Sequence, residues 1–322
     1  MSPIDLATDP LAPIDPIDPI DPIEPIAPIA PIAPIATLAV NAARAATDPA
    51  AGLAVVVAGV ALHLLADRAV WWPEASTLFV ADVHLGKSES FSALGVPVPR
   101  GPTAATLDRL AALIDICAAT RLVVLGDLLH ARQAQAPATI GLLRRWRERH
   151  ARLHCLLVRG NHDDHAGDPP ADLGIEMVTE GERLGPFSLC HLPFESDVLL
   201  SAAAAAAPGE AQSSAQLSSQ SSSQSSSHGQ ITPGGYRLAG HLHPAVRLSG
   251  RAGASVRLPC FRIGESQMVL PAFGDFTGGA TIVRAEGERI FAIAAPRVIE
   301  LPAQRSRPSN SLARKFGPKP IY

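Results

Sequence analysis

Five short apolar runs recur along the middle of the chain, and each ends at polar residues of types that bind metals. The runs are residues 78–81, 122–125, 155–159, 187–190 and 236–239. The polar residues that follow them are Asp82, His84, Asp127, Asn161, His191, His241 and His243. Short runs rich in Val, Leu and Phe are typical of buried strands. The pattern therefore predicts an α/β protein whose strand ends meet at one site.

The surrounding pattern predicts further strands and helices. Leu53–Val57 and residues 61–65 are predicted strands, and residues 103–119 form a predicted helix because their apolar residues are spaced three and four apart. A second helix is predicted at residues 138–151. Its arginines allow two interpretations, contact with phosphates or a solvated helix face.

Low-complexity segments set the predicted domain boundaries. Residues 13–36 repeat Pro-Ile-X, and such regular proline excludes helix and favours polyproline II. We predict a disordered tail over residues 1–51, with a docking ligand for a proline-binding module as the alternative. Residues 201–230 pass from alanine to serine and glutamine, which predicts a surface insertion without chemistry. The predicted domain spans residues 52–301, and a basic, disordered tail follows at 302–322.

Composition limits the class of protein. The net charge is −3, so the chain lacks the overall positive charge typical of a nucleic-acid-binding protein. This charge is compatible with an enzyme that binds phosphate through metal ions. The four cysteines form no CxxC motif, so we expect reduced thiols in a cytoplasmic protein. The longest apolar stretch, residues 50–66, is shorter than the ~20 residues of a membrane-spanning helix, and we expect no membrane association.

The ligand types indicate a metal centre. Oxygen and nitrogen donors without a thiolate suit manganese, magnesium, iron or zinc. Glycine directly precedes Asp127, Asn161 and His241, and it permits close backbone approach and unusual backbone angles. A single Asp-x-His or His-x-His is weak evidence, but five such elements in order are hard to obtain by chance.

The motif order carries a family resemblance. Asp-x-His, Gly-Asp, Gly-Asn-His-Asp, His and Gly-His-x-His between residues 82 and 243 resemble the calcineurin-like metallophosphoesterases. Flanking segments such as Trp71-Trp72-Pro73 and Pro271-Ala272-Phe273-Gly274 resemble the bacterial ligase-associated branch. That branch comprises DNA-damage-response endonucleases encoded beside a DNA ligase and a helicase. The resemblance covers residues 53–300 and implies a four-layer αββα sandwich, in which helices flank two mixed sheets.

The resemblance also implies two divalent metal ions, with manganese the first choice. One ion would be held by Asp82, His84 and His243, the other by Asn161, His191 and His241, with Asp127 bridging both. His162 would not be a ligand but would donate a proton or a hydrogen bond to the leaving oxygen. For Asp163 two roles stay open, orienting His162 or capping the next turn.

His130 separates this chain from part of the superfamily. The protein phosphatases carry Asp-Arg where this chain has His130-Ala131, so the carboxylate that orients their catalytic histidine is missing. The repair nucleases have histidine there, which favours phosphodiester substrates over phosphoproteins. The alternative for His130 is a helix-start residue bonded to backbone. Lys87 and Arg100 follow the first ligand pair, and either neutralise a substrate phosphate or lie on the surface.

Three functions are compatible with these observations. The first is a phosphodiesterase or endonuclease acting on DNA in a repair module, with a DNA ligase and a helicase as candidate partners. The second is a hydrolase of small phosphodiesters or nucleotides, which the acidic net charge favours. The third is a non-catalytic scaffold, against which the complete ligand set and His162 argue. The flanking motifs and His130 favour the first.

Overall fold

The computed structural model describes residues 52–93, 95, 101–194, 235–250, 254–275 and 277–303. The predicted tail at 1–51, the insertion at 201–230 and Arg100 lie outside these residues, as does nearly all of the C-terminal tail. The domain boundaries therefore remain a prediction.

The first sheet contains seven strands in sequential order. They are β1 (Leu53–Val57), β2 (Val60–Leu65), β3 (Ala69–Trp72), β4 (Thr77–Val80), β5 (Arg121–Leu125), β6 (His154–Val158) and β7 (Ile175–Val178). β1 to β4 form an antiparallel meander, whereas β4 to β7 are parallel. The long connections that follow β4 and β5 permit this change, because parallel neighbours need a crossover.

The second sheet is also mixed and contains nine strands. They are β8 (Glu182–Leu184), β9 (Phe187–Leu189), β10 (Tyr236–Ala239), β11 (Pro244–Ser249), β12 (Ser255–Ile263), β13 (Gln267–Val269), β14 (Ala280–Thr281), β15 (Arg289–Ala294) and β16 (Arg297–Glu300). β9 and β13 both run parallel to β10. The other pairs are antiparallel apart from β11 with β14.

Four α-helices lie in the described residues: α1 (Lys87–Ala93), α2 (Pro102–Cys117), α3 (Pro137–Arg149) and α4 (Asn161–Ala166). α2 and α3 confirm the two predicted helices, and each starts at a proline. Proline suits this first position because its fixed φ is helical and its missing N–H would have no partner there. No helix in this part of the chain is long and apolar enough to cross a membrane.

Two cores lie on opposite faces of the first sheet. On one face, Leu78 of β4 packs in a cluster with Leu110 of α2 and Leu143 of α3. On the other, Phe79 packs in a cluster with Phe187 and the other inward residues of the second sheet. β4 is buried on both faces, which explains its continuous apolar run. The prediction of an α/β sandwich with two mixed sheets is confirmed, and α2 and α3 form a helical layer on the first sheet.

Cys155, Cys190 and Cys260 are buried and Cys117 is half-buried, and all four are free thiols. Burial raises the pKa of the Cys155 thiol to about 11 and that of Cys260 to about 12. Thiolate is therefore scarce at neutral pH, and both side chains act as small apolar groups.

Candidate metal centre

The predicted ligands meet where five strands end. Three of these strands, β4, β5 and β6, are parallel neighbours, and β9 and β10 are parallel neighbours in the facing sheet. The His84 N–H donates to the Asp127 carbonyl oxygen at 2.8 Å, which joins two loops of the first sheet. The His241 N–H donates to an Asp82 carboxylate oxygen at 2.9 Å, which joins the two sheets.

Five of the seven predicted ligands have a left-handed backbone. Their φ angles are 53° for Asp82, 50° for His84, 52° for Asp127, 70° for His241 and 46° for His243. Residues other than glycine rarely adopt these angles, and such strain persists where surrounding contacts hold it. The backbone hydrogen bonds between the loops supply those contacts, and the strained turns aim the side chains into one space.

All three glycines that directly precede predicted ligands are required by close approach. A side chain on Gly126 would overlap the ring of His191, and one on Gly160 would overlap the Asp127 carboxylate. A Cβ on Gly240 would lie 2.8 Å from an Asp82 carboxylate oxygen. Gly126 also has a φ of 81°, which favours glycine. The prediction of close backbone approach at these turns is therefore confirmed at all three positions.

The first group of ligands surrounds a buried point beside β4. His84 Nε2 lies 3.3 Å from His243 Nε2 and 3.6 Å from Asp127 Oδ2. His243 Nε2 lies 3.6 Å from Asp82 Oδ1. Asp82, His84 and His243 are close enough together to hold one metal ion.

The second group lies on the other side of Asp127. His191 Nε2 is 2.9 Å from Asn161 Oδ1 and 3.1 Å from His241 Nδ1. The same nitrogen is 3.6 Å from Asp127 Oδ1. Asp127 therefore turns one carboxylate oxygen toward each group.

The donor chemistry fits divalent ions. His84 Nε2 is 3.3 Å from His243 Nε2, and His191 Nε2 is 3.1 Å from His241 Nδ1. Two ring nitrogens this close need a proton or a cation between them. Burial and the neighbouring His243 hold the pKa of His84 well below its usual value, and burial lowers the pKa of His241 to about 4. Both rings are thus neutral at physiological pH, which is the state that binds metal. Nitrogen and oxygen donors without sulfur suit manganese, magnesium, iron or zinc.

Backbone carbonyls orient two of the imidazoles. His191 Nδ1 lies 3.1 Å from the Leu125 carbonyl oxygen, and His243 Nδ1 lies 3.1 Å from that of Thr277. An N–H donated to each carbonyl leaves Nε2 as the nitrogen directed at the centre. The sequence did not reveal these contacts, because any residue type supplies a carbonyl.

His162 and His130 form a stacked pair over the first group. Their ring centroids are 4.8 Å apart with an interplanar angle of 23°, and the His162 ring is also 4.8 Å from that of His84. His162 Nδ1 lies 2.8 Å from the His130 carbonyl oxygen. If Nδ1–H donates there, a carbonyl orients the ring in place of the carboxylate that this chain lacks, and Nε2 is left for a substrate.

The His130 ring lies within the site, with its Nδ1 3.3 Å from His84 Nδ1. The His130 N–H donates to the Leu85 carbonyl, so the backbone is bonded as well. Burial and the charge of Lys87 lower the pKa of His130 to about 4. A neutral ring is therefore available there as a hydrogen-bonding group.

The Asp163 carboxylate is hydrogen-bonded to backbone N–H groups. It accepts from the N–H groups of Leu129 at 2.9 Å, Gly160 at 3.0 Å and Leu128 at 3.3 Å. Burial raises its pKa to about 6. These contacts favour the capping role among the two alternatives, because Asp163 ties the loop after Asp127 to the turn that carries His162.

Lys87 is half-buried at the start of α1. Burial lowers its pKa, opposed by the negative charge of Asp127, and its own charge acts on His84 and His130. Of its two predicted roles, this placement favours contact with a bound anion.

Comparison with known proteins agrees with this geometry. Residues 75–203 match the family model described as calcineurin-like phosphoesterase. The solved structure of the Pseudomonas putida nuclease MPE is 40% identical, with a TM-score of 0.58, over 77% of this chain and 99% of that one. The E. coli phosphoesterase Yfce is 14% identical over 70% of this chain and 97% of that one, with a TM-score of 0.33, which is too low for a structural argument. No curated protein matches.

The family match includes the loops that carry Asp82, Asp127 and Asn161, and the similar nuclease is covered over almost its whole length. Proteins of this family use a dinuclear metal site, and the two ligand groups around Asp127 are of the type such a site needs. The chain therefore belongs to the calcineurin-like phosphoesterases and is a metal-dependent phosphoesterase.

Proposed function

We propose that this protein is a dinuclear metal-dependent phosphodiesterase that cleaves DNA internally, as an endonuclease of a repair module. One observation carries the proposal. The Asp127 carboxylate directs Oδ2 at His84 and Oδ1 at His191, so a single side chain faces both ligand groups. When bound there, two divalent ions lower the pKa of a water nucleophile and screen the charge of the phosphodiester. Manganese is our first choice, with magnesium, iron or zinc as alternatives.

The chain's own residues would align the ions and the substrate. Asp82, His84 and His243 would hold the first ion, and Asn161, His191 and His241 the second, with Asp127 shared. With Nδ1–H donated to the His130 carbonyl, His162 would act as an imidazolium and donate the proton on Nε2 to the leaving oxygen. Lys87 would add positive charge where a phosphate oxygen binds.

Two observations favour DNA as the substrate. His130 stands in place of an aspartate and stacks on His162, where its neutral ring can contact a phosphodiester strand. The similar Pseudomonas putida protein, at 40% identity, is a nuclease. The resemblance to the ligase-associated branch further supports a cytoplasmic DNA-repair role beside a DNA ligase and a helicase.

A second candidate is a phosphodiesterase of small nucleotides. The net charge of −3 favours it, because long anionic polymers are repelled by an acidic protein unless the charge near the site is locally positive. In that case the link to repair would be indirect.

Hydrolysis of circular single-stranded DNA tests the two candidates directly. With manganese added, we expect conversion of circles to linear strands and then to fragments, and much slower hydrolysis of mononucleotides and cyclic dinucleotides. Asp127→Asn serves as the matched inactive control for contaminating nucleases. Intact circles together with rapid hydrolysis of a small phosphodiester would reject the DNA proposal and establish the second candidate.

A further inference from the structure

The β11–β12 hairpin begins directly after His243 and extends from the metal centre. Arg247 on β11 lies directly opposite Arg257 on β12, two residues beyond the pair Ala245 and Pro259. Side chains alternate along a strand, so the two arginines share a face of the hairpin with that pair. The same face of β12 continues to Phe261, which packs in the core between the sheets. The inner face of the sheet thus changes from apolar to cationic where it passes the metal centre.

A cleft of about 190 Å³ lies beside this cationic face. Its lining includes His243, Arg257 and Gly279 and also Arg68, from the turn between β2 and β3. Arg257 Nη2 is 3.6 Å from the position that a Cβ on Gly279 would occupy, and that position is 3.0 Å from the His243 carbonyl oxygen. The guanidinium therefore lies in the cleft, next to a predicted metal ligand.

The charges in this cleft are incompletely balanced. Arg68 shares the carboxylate of Asp275 with Arg109, so two positive charges face one negative charge. Arg257 is exposed and makes no ion pair within the described residues. Arg257 is therefore positioned to pair with an anion that enters the cleft.

The arrangement is specific to one face of the hairpin. Val246 and Leu258, which point to the other face, belong to a separate apolar cluster. Arg257 lines the cleft, and Arg247 lies on the same face of the hairpin, opposite Arg257 in the strand register. A planar guanidinium matches the oxygens of a phosphate, and arginine is accordingly common where proteins bind nucleic-acid backbone.

We propose that this cleft, with Arg257 at its centre and Arg247 farther out, binds the phosphates that flank the scissile bond on a DNA strand. The proposal rests on the function proposed above and names how the polymer is held. Arg247 is four positions beyond His243, about 13 Å along the strand. That length corresponds to roughly four nucleotides at the ~3.4 Å axial rise per nucleotide of duplex DNA. A local cationic track of this kind explains how a protein with a net charge of −3 can engage a polyanion.

Arg257→Gln and the double variant with Arg247→Gln test the proposal. Arg152→Gln is the matched control, because it removes the same charge from an exposed residue before β6, at the end of the first sheet opposite the metal centre. All proteins are assayed on a DNA oligonucleotide across a salt series and on bis(4-nitrophenyl) phosphate, which lacks flanking phosphates. Melting temperature and metal content are measured in parallel.

We expect Arg257→Gln to raise KM for DNA by about 3- to 10-fold at low salt, with kcat changed less than about twofold. The slope of log(kcat/KM) against the logarithm of salt concentration should become less negative by about one unit for each phosphate contact removed. Hydrolysis of the nitrophenyl diester and the melting temperature should match those of Arg152→Gln. Arg257→Lys should recover most of the affinity for DNA, because a phosphate contact depends mainly on charge.

Two outcomes overturn this proposal and leave the proposed function standing. One is an active wild type on DNA, with Arg257→Gln and the double variant equal to Arg152→Gln in KM and salt dependence. The other is an equal loss on both substrates that Arg257→Lys does not rescue, which indicates a structural role for the side chain. A wild type that hydrolyses only the nitrophenyl diester rejects the DNA function itself, and this inference with it.

Discussion

The candidate metal centre has a first half, formed by Asp82, His84 and His243, and a second half, formed by Asn161, His191 and His241. The two halves differ in how deeply they lie in the fold. In the first half, Asp82 is 0% exposed and His84 is 4% exposed, whereas His243 is half-buried. In the second half, Asn161 is exposed and His241 is half-buried, although His191 is buried. The first half is therefore part of the scaffold, since Asp82 also accepts the hydrogen bond that joins the sheets. The second half is more open to solvent, mainly at Asn161.

The halves also differ in charge. The first holds Asp82 of its own in addition to the shared Asp127, whereas the second offers a neutral amide and two imidazoles besides Asp127. Because ligand charge and rigidity set the affinity of a cation site, we expect the second ion to bind more weakly. Variants that affect one half, both halves or neither can separate these effects.

The largest effect is expected from Asp127→Asn, which changes both halves at once. An amide has one oxygen for two ions, so neither half keeps its share of the carboxylate. We expect turnover below detection and a sharp fall in metal content after dialysis, measured by elemental analysis. Two retained ions with normal activity would contradict the bridging role.

His162→Asn should remove chemistry while leaving both halves loaded. If His162 only donates to the leaving oxygen, kcat should fall by ~10²–10⁴ with metal content and KM near wild type. The loss should be smaller for a nitrophenyl phosphodiester, whose leaving group needs little proton transfer, and larger for DNA. Comparison of kcat on the two substrates is the measurement.

The matched variant for this test is His130→Ala. The His130 carbonyl that orients His162 is retained, whereas the ring is lost. We expect a larger loss on DNA than on the nitrophenyl substrate if the ring positions the polymer. Equal losses on both substrates for both variants would leave the acid role unsupported and favour a small-molecule phosphodiesterase.

Motif order and strand pattern were enough to predict which side chains converge. Asp127 and His191 are far apart in sequence, yet His191 Nε2 lies 3.6 Å from Asp127 Oδ1. These side chains lie together because parallel strands bring their carboxyl ends to one edge, and each proposed ligand lies within a few residues of a strand end. Leu53–Val57 was predicted with its observed boundaries for a similar reason, since a short run of β-branched residues is a local signal.

Contacts that depend on backbone position could not be predicted. The carbonyls of Leu125 and Thr277 orient two imidazoles, but a carbonyl leaves no trace in residue type. Asp163 left two roles open, because only the fold brings the N–H groups of Leu128 and Leu129 to its carboxylate. The opposed arginines on β11 and β12 likewise depend on strand register, which the sequence does not show.

Asn161→Ala should affect the second half alone. Asn161 is exposed and contributes a neutral oxygen 2.9 Å from His191 Nε2. We expect the manganese concentration needed for half-maximal activity to rise roughly 10- to 100-fold, with most of the activity recovered at saturating metal. Titration of activity with manganese measures this change. No change in that concentration would place the second ion elsewhere.

Asp82→Asn gives the contrasting result in the first half. The side chain is fully buried and accepts from the His241 N–H, so the neutral amide weakens both a ligand and the link between the sheets. We expect a lower melting temperature and activity that added manganese does not restore. Rescue of Asp82→Asn as complete as that of Asn161→Ala would show that the two halves are equivalent.

The smallest effect is expected from changes that touch neither half. Deleting residues 1–48, or replacing residues 202–230 with a short Gly/Ser linker, should leave metal content and turnover near wild type, because both segments lack the apolar pattern that offsets the entropy of ordering. The Pseudomonas putida nuclease is covered over 99% of its length by 77% of this chain, so roughly a quarter of this chain has no counterpart in that fold. Thermal unfolding and the nitrophenyl assay are the measurements. A fall in melting temperature of more than about 4 °C for either variant would correspond to roughly 1 kcal/mol or more of lost stability and would show that the segment packs against the domain.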